Sequence, residues 1–456
     1  MHRRHFLRLS AGAAASLALV GASVSSAQAM SIPRPTAFMA TRWDSNPWAR
    51  GSYSALSTRC YPDARETLSE ALIGGRIALA GEYTSVDFPS TTNGGYQSGV
   101  RAARQLISEV EPTRVIVIGA GIAGAAAART LSNAGVAVQV LEASDRIGGR
   151  ILSSTEWGAP VELGAAWVHS TKGNPVTGLA TAAGVSLVRT NYADELIRDT
   201  VTGRESEQAK TVKGRLSDLT DQLSADSNSP SLSVSSWLAR RNWNANRFGR
   251  WAQAVEITQE YGLDPSTLSV AALQEGEDGA GGDAFVKGGY IAIPQYLLDG
   301  IEVRLNQPVT RVDPTGPTVR VSTSREMLTA DAVVVAVPLP LLQAGVPGIT
   351  GMTQGVSLAL RGLTTGNLEK VILRYDEQWW GDSQVLGIVG GGVSGAPDGS
   401  PAALRWTEFY SLTPLVGFPA LAGFSGGFAA RTRPASAAGC ASEAQARLAA
   451  AFRVRQ

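Results

Sequence analysis

The chain carries only two cysteines, Cys60 and Cys440, in 456 residues. Two thiols cannot build a disulfide framework or a cysteine-based zinc site, and a single bridge between them stays open. Three histidines, two of them among the first five residues, leave little for a histidine metal site, so no metal is expected. Charge of one sign is also lacking, with 40 Lys and Arg against 39 Asp and Glu and no block of either. A nucleic-acid partner is therefore not expected. Beyond the N-terminus no apolar run is long enough to span a bilayer, so stable membrane insertion is not expected either.

What is present is a chain with 44% hydrophobic and 17% charged residues, long enough for two or three domains with a large core. Its 50 glycines gather in short motifs rather than linkers. The start, MHRRHFLRLSAGAAASLALVGASVSSAQAM, places Arg3-Arg4 and Phe6-Leu7 before a mildly apolar stretch and a small-x-small site at Ala27-Gln28-Ala29. This pattern is similar to a twin-arginine signal. Residues 1–29 are expected to be removed on export, leaving the protein periplasmic or extracellular.

The clearest unit lies further on. VIVI at 115–118 reads as a buried parallel strand. Gly119, Gly121 and Gly124 then form G-x-G-x-x-G, an Ala-rich helix runs to Gly135, and AVQVLE follows at 137–142. The first glycine permits a tight turn, the second lets the backbone approach a pyrophosphate, and the third lets the helix pack on the strand. The helix N-terminus offers N–H groups to phosphate. Glu142, closing the second strand, suits the ribose hydroxyls. Strand, loop, helix, strand and terminal acid together predict dinucleotide binding. From about 190 to 282 the chain turns polar and Ser-rich with scattered Trp, which predicts a helical lobe; strand character returns after it.

The residues after Glu142, EASDRIGGR (142–150), place Gly148-Gly149-Arg150 just beyond the acid. This turn resembles the flavoproteins of the amine oxidase superfamily. The resemblance implies noncovalent FAD, with Gly149 and Arg150 among its contacts. It also implies an α/β fold: a Rossmann-like FAD domain of the glutathione-reductase type with a second, α+β substrate domain. VELGAAWVHSTKGNP (161–175) is similar to the family's block beneath the flavin ring, and the resemblance assigns Ala166 and Trp167 to the cofactor and His169 to the substrate. FVKGGYIAIPQYL (285–297), Val309 in QPVTRV, and ADAVVVAVPLPLL (330–342) match further family segments, with Val309 at the adenine. GNLEKVILRYDEQWW (366–380) resembles the segment carrying the family's active-site lysine, here Lys370, which holds a water near the flavin N5.

One block is displaced. The family's closing elements stand here at the front, as TRWDSNPWARGSYSALS (41–57), RIALAGEYTS (76–85) and FPSTTNGGYQSGVRAARQL (88–106). The chain stops at ARLAAAFRVRQ, where the family would continue into that block. A circular permutation is expected, with a gene-assembly error as its rival. It requires Ile32 to sit beside Gln456 and the 76–82 strand to share a sheet with 115–118. The expected FAD domain covers 58–185 and 283–338, and the substrate domain 30–57, 186–282 and 339–456. By resemblance Glu82 binds the ribityl–diphosphate region, Thr91 and Thr92 touch the isoalloxazine edge, and Tyr53 and Trp43 stand by the flavin. Ser52 occupies the position of the flavin-linked Cys of mammalian monoamine oxidases and cannot form a thioether. Thr91 replaces their second aromatic wall, and Asn93 replaces a common family His. The pattern is closer to polyamine oxidases and the flavin histone-lysine demethylases.

The function implied is an FAD-dependent amine oxidase using dioxygen on a small amine, with Lys370 and Tyr53 as catalytic side chains. Polyamines lead as substrate, ahead of monoamines and L-amino acids. A flavin-binding protein without amine turnover and a desaturase-like flavoprotein are the readings from other classes. Oligomeric state is not legible.

Overall fold

The structure, a computed structural model, describes residues 32–61, 63–223, 230–277, 279–390 and 399–452. The expected export signal and Gln456 lie outside these residues. The glycine-loop strand Arg114–Ile118 is buried on both faces because its apolar residues serve two cores. Val115 and Val117 face one cluster with the alanines of the following helix, while Ile116 and Ile118 face another. A strand covered on both faces reads as a continuous apolar run, as VIVI does.

The sheet containing it runs, in spatial order, Glu302–Arg304, Ala137–Leu141, Arg114–Ile118, Ala332–Val335, Ile77–Leu79 and Leu72–Ile73. Every pairing is parallel except the last. Ile77–Leu79 thus lies in the same sheet as Arg114–Ile118, with Ala332–Val335 between them, as the permuted order requires. Helix Thr92–Glu109 packs against helix Ile122–Asn133 at glycine contacts. A Cβ on Gly99 would stand 2.0 Å from the Ala123 carbonyl oxygen, so only glycine allows that approach.

A second sheet of seven strands runs Ala37–Ala40, Leu368–Arg374, Ala420–Gly426, Glu408–Ser411, Val385–Val389, Glu195–Asp199 and Arg204–Glu205. Helix Ala437–Ala451 covers part of it. Helices Glu207–Asp221, Val234–Ala239 and Arg247–Gln253, followed by a π-turn at Ala254–Thr258, form the helical lobe. That lobe begins later than the expected residue 190, because 195–205 is a sheet edge. ELIRD reads as polar, yet its charges are neutralised in place: Glu195 pairs with Lys213 at 2.7 Å and Asp199 with Arg247 at 2.6 Å.

Whether Ile32 sits beside Gln456 falls outside the described residues, but the described ends lie near one another. Gln445 Nε2 donates to the Pro33 carbonyl at 2.7 Å, and Ile32 and Phe452 pack on one apolar cluster. The two cysteines are free. Among the described residues no helix is long and apolar enough to cross a membrane, and no group of His, Cys, Asp and Glu could hold a metal.

The front block is tied to the second sheet by a buried carboxylate. Glu369 accepts from Thr41 Oγ1 at 2.5 Å and Trp43 N at 2.8 Å. Arg433, 1% exposed, lies 3.3 Å from that carboxylate and 2.8 Å from Asp44. Removing one partner of a buried pair strands the other charge. Arg433→Met should therefore lower the unfolding free energy in urea by about 3 kcal/mol or more.

Candidate active site

Two helix N-termini and one strand end converge on a cavity of about 600 Å³. Helix Ile122–Asn133 begins on the glycine loop, and helix Thr92–Glu109 is capped by Thr91, whose Oγ1 accepts from Gly94 N at 2.9 Å. Both present unpaired N–H groups and a positive dipole end to the cavity. Gly119 has φ +105° and a Cβ there would lie 2.6 Å from the Ala336 carbonyl oxygen, so the turn needs glycine. Gly121 is different: a Cβ would meet nothing closer than 3.9 Å, and would project into the cradle where a pyrophosphate fits. Gly124 is the one predicted cofactor residue that does not line the cavity. A Cβ on it would lie 1.8 Å from the Gly119 carbonyl oxygen, so it serves packing alone.

At the far arm Glu142 is buried and accepts from Ala120 N at 2.7 Å and Ser144 N at 2.9 Å. Gln307 and Val309 line the same end, and Gln307 Oε1 is buried without a hydrogen-bond partner. A buried amide oxygen left unpaired is costly unless a ligand donor meets it. The cradle at Gly121 and this oxygen both fit a dinucleotide laid along the cavity. Gln307 was not foreseen; nothing in NQPV marks it out beyond its place two residues before Val309.

The middle of the cavity is held by Glu82. It sits in a short 3-10 turn directly after Ile77–Leu79, not in the strand itself, because Gly81 with φ +148° turns the chain. Its carboxylate accepts from Ser54 Oγ at 2.6 Å, Ser90 N at 3.1 Å and Arg150 Nη1 at 2.9 Å. Burial alone would raise its pKa, but the charges of Arg150 and Arg65 and the Ser54 hydrogen bond bring it below the usual carboxylate value. Both its oxygens are thus committed to protein donors. Glu82 shapes the cavity by fixing Arg150, whose Nη1 also donates to the Ser52 carbonyl at 2.6 Å. Gly149 lines the wall beside Arg150.

At the other end the cavity is aromatic. Ala166 and Trp167 line it, and Trp167 packs 5.2 Å from Tyr410 and 5.7 Å from Phe424, centroid to centroid. Lys370 Nζ lies 5.9 Å from the Trp167 ring and 5.5 Å from that of Phe424, and donates to the carbonyls of Glu162 at 3.1 Å and Gly164 at 2.5 Å. Burial pulls this ammonium well below the ordinary lysine range, against the opposing charge of Glu162. Burial raises Glu162 in turn, opposed by hydrogen bonds from Tyr290 N and Ser153 and by the Lys370 charge. Tyr53 donates to the Gln259 carbonyl at 2.6 Å, and Trp43 Nε1 to the Leu163 carbonyl at 3.3 Å. Thr92 shares a hydrogen bond of 2.6 Å with Tyr290 Oη. His169 Nδ1 lies 2.8 Å from Asp283.

The structure therefore gathers Trp43, Tyr53, Glu82, Thr91, Thr92, Glu142, Arg150, Trp167, His169, Val309 and Lys370 around one cavity, although they come from both ends and the middle of the chain. Sequence reasoning missed Tyr410, Phe424, Tyr192, Gln259 and Asp283. Tyr410 and Phe424 lie in apolar strands, EFYS and ALAGFSG, where an inward aromatic looks like any core residue. Asp283 had one signal, an acid following GAGG immediately before a strand.

A dinucleotide cradle joined to a lysine-bearing aromatic chamber defines a flavoenzyme-type site. The model of the flavin containing amine oxidoreductase family matches residues 20–107 and 122–432, and the chain belongs to that family. It is 28% identical over 350 residues to probable polyamine oxidase 4 of Arabidopsis thaliana, covering 69% of this chain and 66% of that one. It is 29% identical over 303 residues to polyamine oxidase 4 of Oryza sativa subsp. japonica, with coverage of 61% and 62%. Against lysine-specific histone demethylase 2 of Homo sapiens it is 30% identical over 309 residues, 60% of this chain and 36% of that protein. The matched part thus spans two thirds or less of these relatives' lengths. Among solved structures, wild-type putrescine oxidase bound to putrescine aligns at TM-score 0.60 and 22% identity over 75% of this chain and 82% of that one. Cyclohexylamine oxidase from Brevibacterium oxydans IH-35A aligns at 0.55 and 23% over 70% and 76%. These likenesses show the fold.

Ser52 lines the cavity, donating to the Leu368 carbonyl at 2.9 Å and accepting from Leu368 N at 2.8 Å. A hydroxyl so engaged makes no flavin bond. Acid precipitation of the yellow protein should leave FAD in the supernatant; flavin that stays with the pellet would contradict this assignment.

Proposed function

We propose that the protein is an exported FAD-dependent amine oxidase that prefers polyamines. One arrangement carries the reading: a buried lysine beside an aromatic wall, at the end of a cavity whose other end cradles a dinucleotide. When bound, FAD supplies two-electron acceptance, taking hydride from the α-carbon of an amine and returning the electrons to dioxygen as peroxide. The resulting imine is hydrolysed by water to an aldehyde and an amine. The chain's own part is to orient and desolvate. The rings of Trp167, Tyr410 and Phe424 wall the apolar chamber, and Tyr53 adds a further face. Lys370, fixed by two carbonyls, can hold a water and give or take its proton at Nζ.

Polyamine preference is supported by the names of the curated relatives and by acids beside the chamber. Glu260 lines both the main cavity and a small neighbouring one of about 90 Å³, which Asp87 and Glu277 also line. A monoamine oxidase is the nearest alternative. An L-amino-acid oxidase needs a cation for the substrate carboxylate. The arginines lining the cavity are engaged by the protein, Arg146 with the carbonyls of Ile147, Gly149 and Ile151 and Arg150 with Glu82 and the Ser52 carbonyl. Export rests on Arg3-Arg4 and the Ala27-Gln28-Ala29 site. A peroxide-coupled screen of di- and polyamines, monoamines and amino acids tests the activity. Peroxide should form with polyamines first, and Lys370→Met should keep FAD but slow flavin reduction or reoxidation by roughly 10²-fold.

The chain also reads as a circularly permuted member of its family. The parallel place of Ile77–Leu79 beside Ala332–Val335 and the packing of Ile32 and Phe452 on one apolar cluster support this. So does the share of the chain aligned to solved structures, about three quarters, which the stretch from Arg114 to Phe452 alone would fill. Ends that lie together tolerate rejoining. A gene opened in the turn before Arg114, with a short linker from Phe452 to Ile32, should yield folded yellow protein of nearly unchanged melting temperature. Failure of that rearranged chain to fold or bind FAD would sink the reading.

A further inference from the structure

His169 stands where the two cavities meet, lining both. Its Nδ1 lies 2.8 Å from Asp283 Oδ2, and Tyr192 Oη donates to the same oxygen at 2.9 Å. Ser170 N donates to Asp283 Oδ1 at 3.0 Å, so these three contacts hold the carboxylate in one orientation. Asp283 is 3% exposed. Burial alone would raise its pKa, but the His169 charge and the hydrogen bonds from His169, Ser170 N and Tyr192 hold it at about 2. A carboxylate fixed as an anion next to Nδ1 selects the tautomer with hydrogen on that nitrogen. Nε2, which has no partner among the described residues, is then the acceptor left for the cavity.

We propose that His169 is the group that removes the proton from the incoming alkylammonium, with Asp283 and Tyr192 as the residues that position its ring. The inference rests on the amine oxidase reading and deepens it. An amine arrives protonated at neutral pH, since ammonium groups of this kind titrate near ~10. It can lose hydride only once its nitrogen lone pair is free. In the step, the substrate N–H bond breaks and an Nε2–H bond forms on His169. The electron pair of the broken bond stays on the substrate nitrogen, and no electrons change owner. The imidazolium is neutralised by Asp283, and its proton leaves through the smaller cavity.

The other charges around the ring set the field for this transfer. Glu260 faces both cavities, and Asp87, Glu275 and Glu277 line the smaller one, Glu275 being paired with Arg65 at 2.6 Å. These acids favour a cation at the junction. Trp167 stacks 6.5 Å from the His169 ring with an interplanar angle of 21°, and Lys370 Nζ lies 5.9 Å from the same indole.

The test uses the FAD-loaded full chain and follows flavin reduction by a diamine such as putrescine in rapid mixing from pH 6 to 10. For His169→Gln, second-order reduction should fall roughly 10²-fold at pH 7, and the deficit should shrink toward parity near pH 10, where free amine arrives already neutral. A deficit of equal size at both pH values, or no deficit at pH 7, overturns the proposal. For Asp283→Asn, the acid limb of the wild-type profile should move to lower pH, because the imidazolium loses its counter-charge. A limb that stays in place overturns the positioning role. Nitrogen NMR of protein labelled at histidine gives a readout independent of turnover, since only His2, His5 and His169 contribute. The His169 signals should report hydrogen on Nδ1 in wild type and a mixture in Asp283→Asn; an Nε2-protonated ring in wild type overturns the proposal. If wild-type flavin is not reduced by any amine while the NMR result holds, the amine oxidase reading fails and the tautomer assignment stands.

Discussion

A carboxylate buried in the middle of a protein must find donors for its lone pairs or lose its charge. Glu82 finds them in three stretches that are distant in sequence: Ser54, Ser90 and Arg150. Ser90 and Arg150 line the cavity, so satisfying this one side chain fixes part of its wall. The aromatic front block, the N-terminus of helix Thr92–Glu109 and the glycine-rich turn after Glu142 are brought to one point by the same demand. Arg65, itself paired with Glu275, adds a second positive charge from the helix behind. The geometry of the cofactor arm therefore follows from electrostatic satisfaction as much as from the glycine loop.

The chamber end follows a different rule. Its buried ammonium is held with a weakened grip on its proton. Lys370 is fixed by two neutral carbonyls and flanked by ring faces, and burial weakens its hold on a proton. His169 and Asp283 stand as a hydrogen-bonded pair at the same end, the carboxylate also held by Tyr192 and Ser170 N.

Sequence made the cofactor half legible because its devices are local. VIVI, G-x-G-x-x-G and the acid at 142 sit within thirty residues and each has a backbone reason to be there. The front block was legible only through resemblance, since nothing in RIALAGEYTS says which strand it will pair with. The chamber was least legible. Tyr410 and Phe424 come from neighbouring antiparallel strands in register Glu408↔Phe424, and no spacing in the chain announces that two core aromatics will share a wall. The strand Glu195–Asp199, next to the sheet edge, was hidden for a related reason. Its charges look solvated until Lys213 and Arg247, from helices further along, come to meet them.

The bond between Thr41 and Glu369 joins residues 328 positions apart. A ribosome making the chain from its N-terminus exposes the front block first and its sheet partner last. At the usual 5–20 residues per second, the edge strand Ala37–Ala40 waits on the order of tens of seconds before Leu368–Arg374 exists to receive it. During that interval the strand edge and the Trp43 backbone lack the strand Leu368–Arg374 and the Glu369 carboxylate that hold them in the finished fold. Helix Thr92–Glu109 can dock on Ile122–Asn133 almost at once, while the residues ahead of it trail unpaired. This order of elements thus makes the Ala37–Ala40 strand wait for a partner made far later in the chain. Chaperone dependence and aggregation during synthesis should concentrate there.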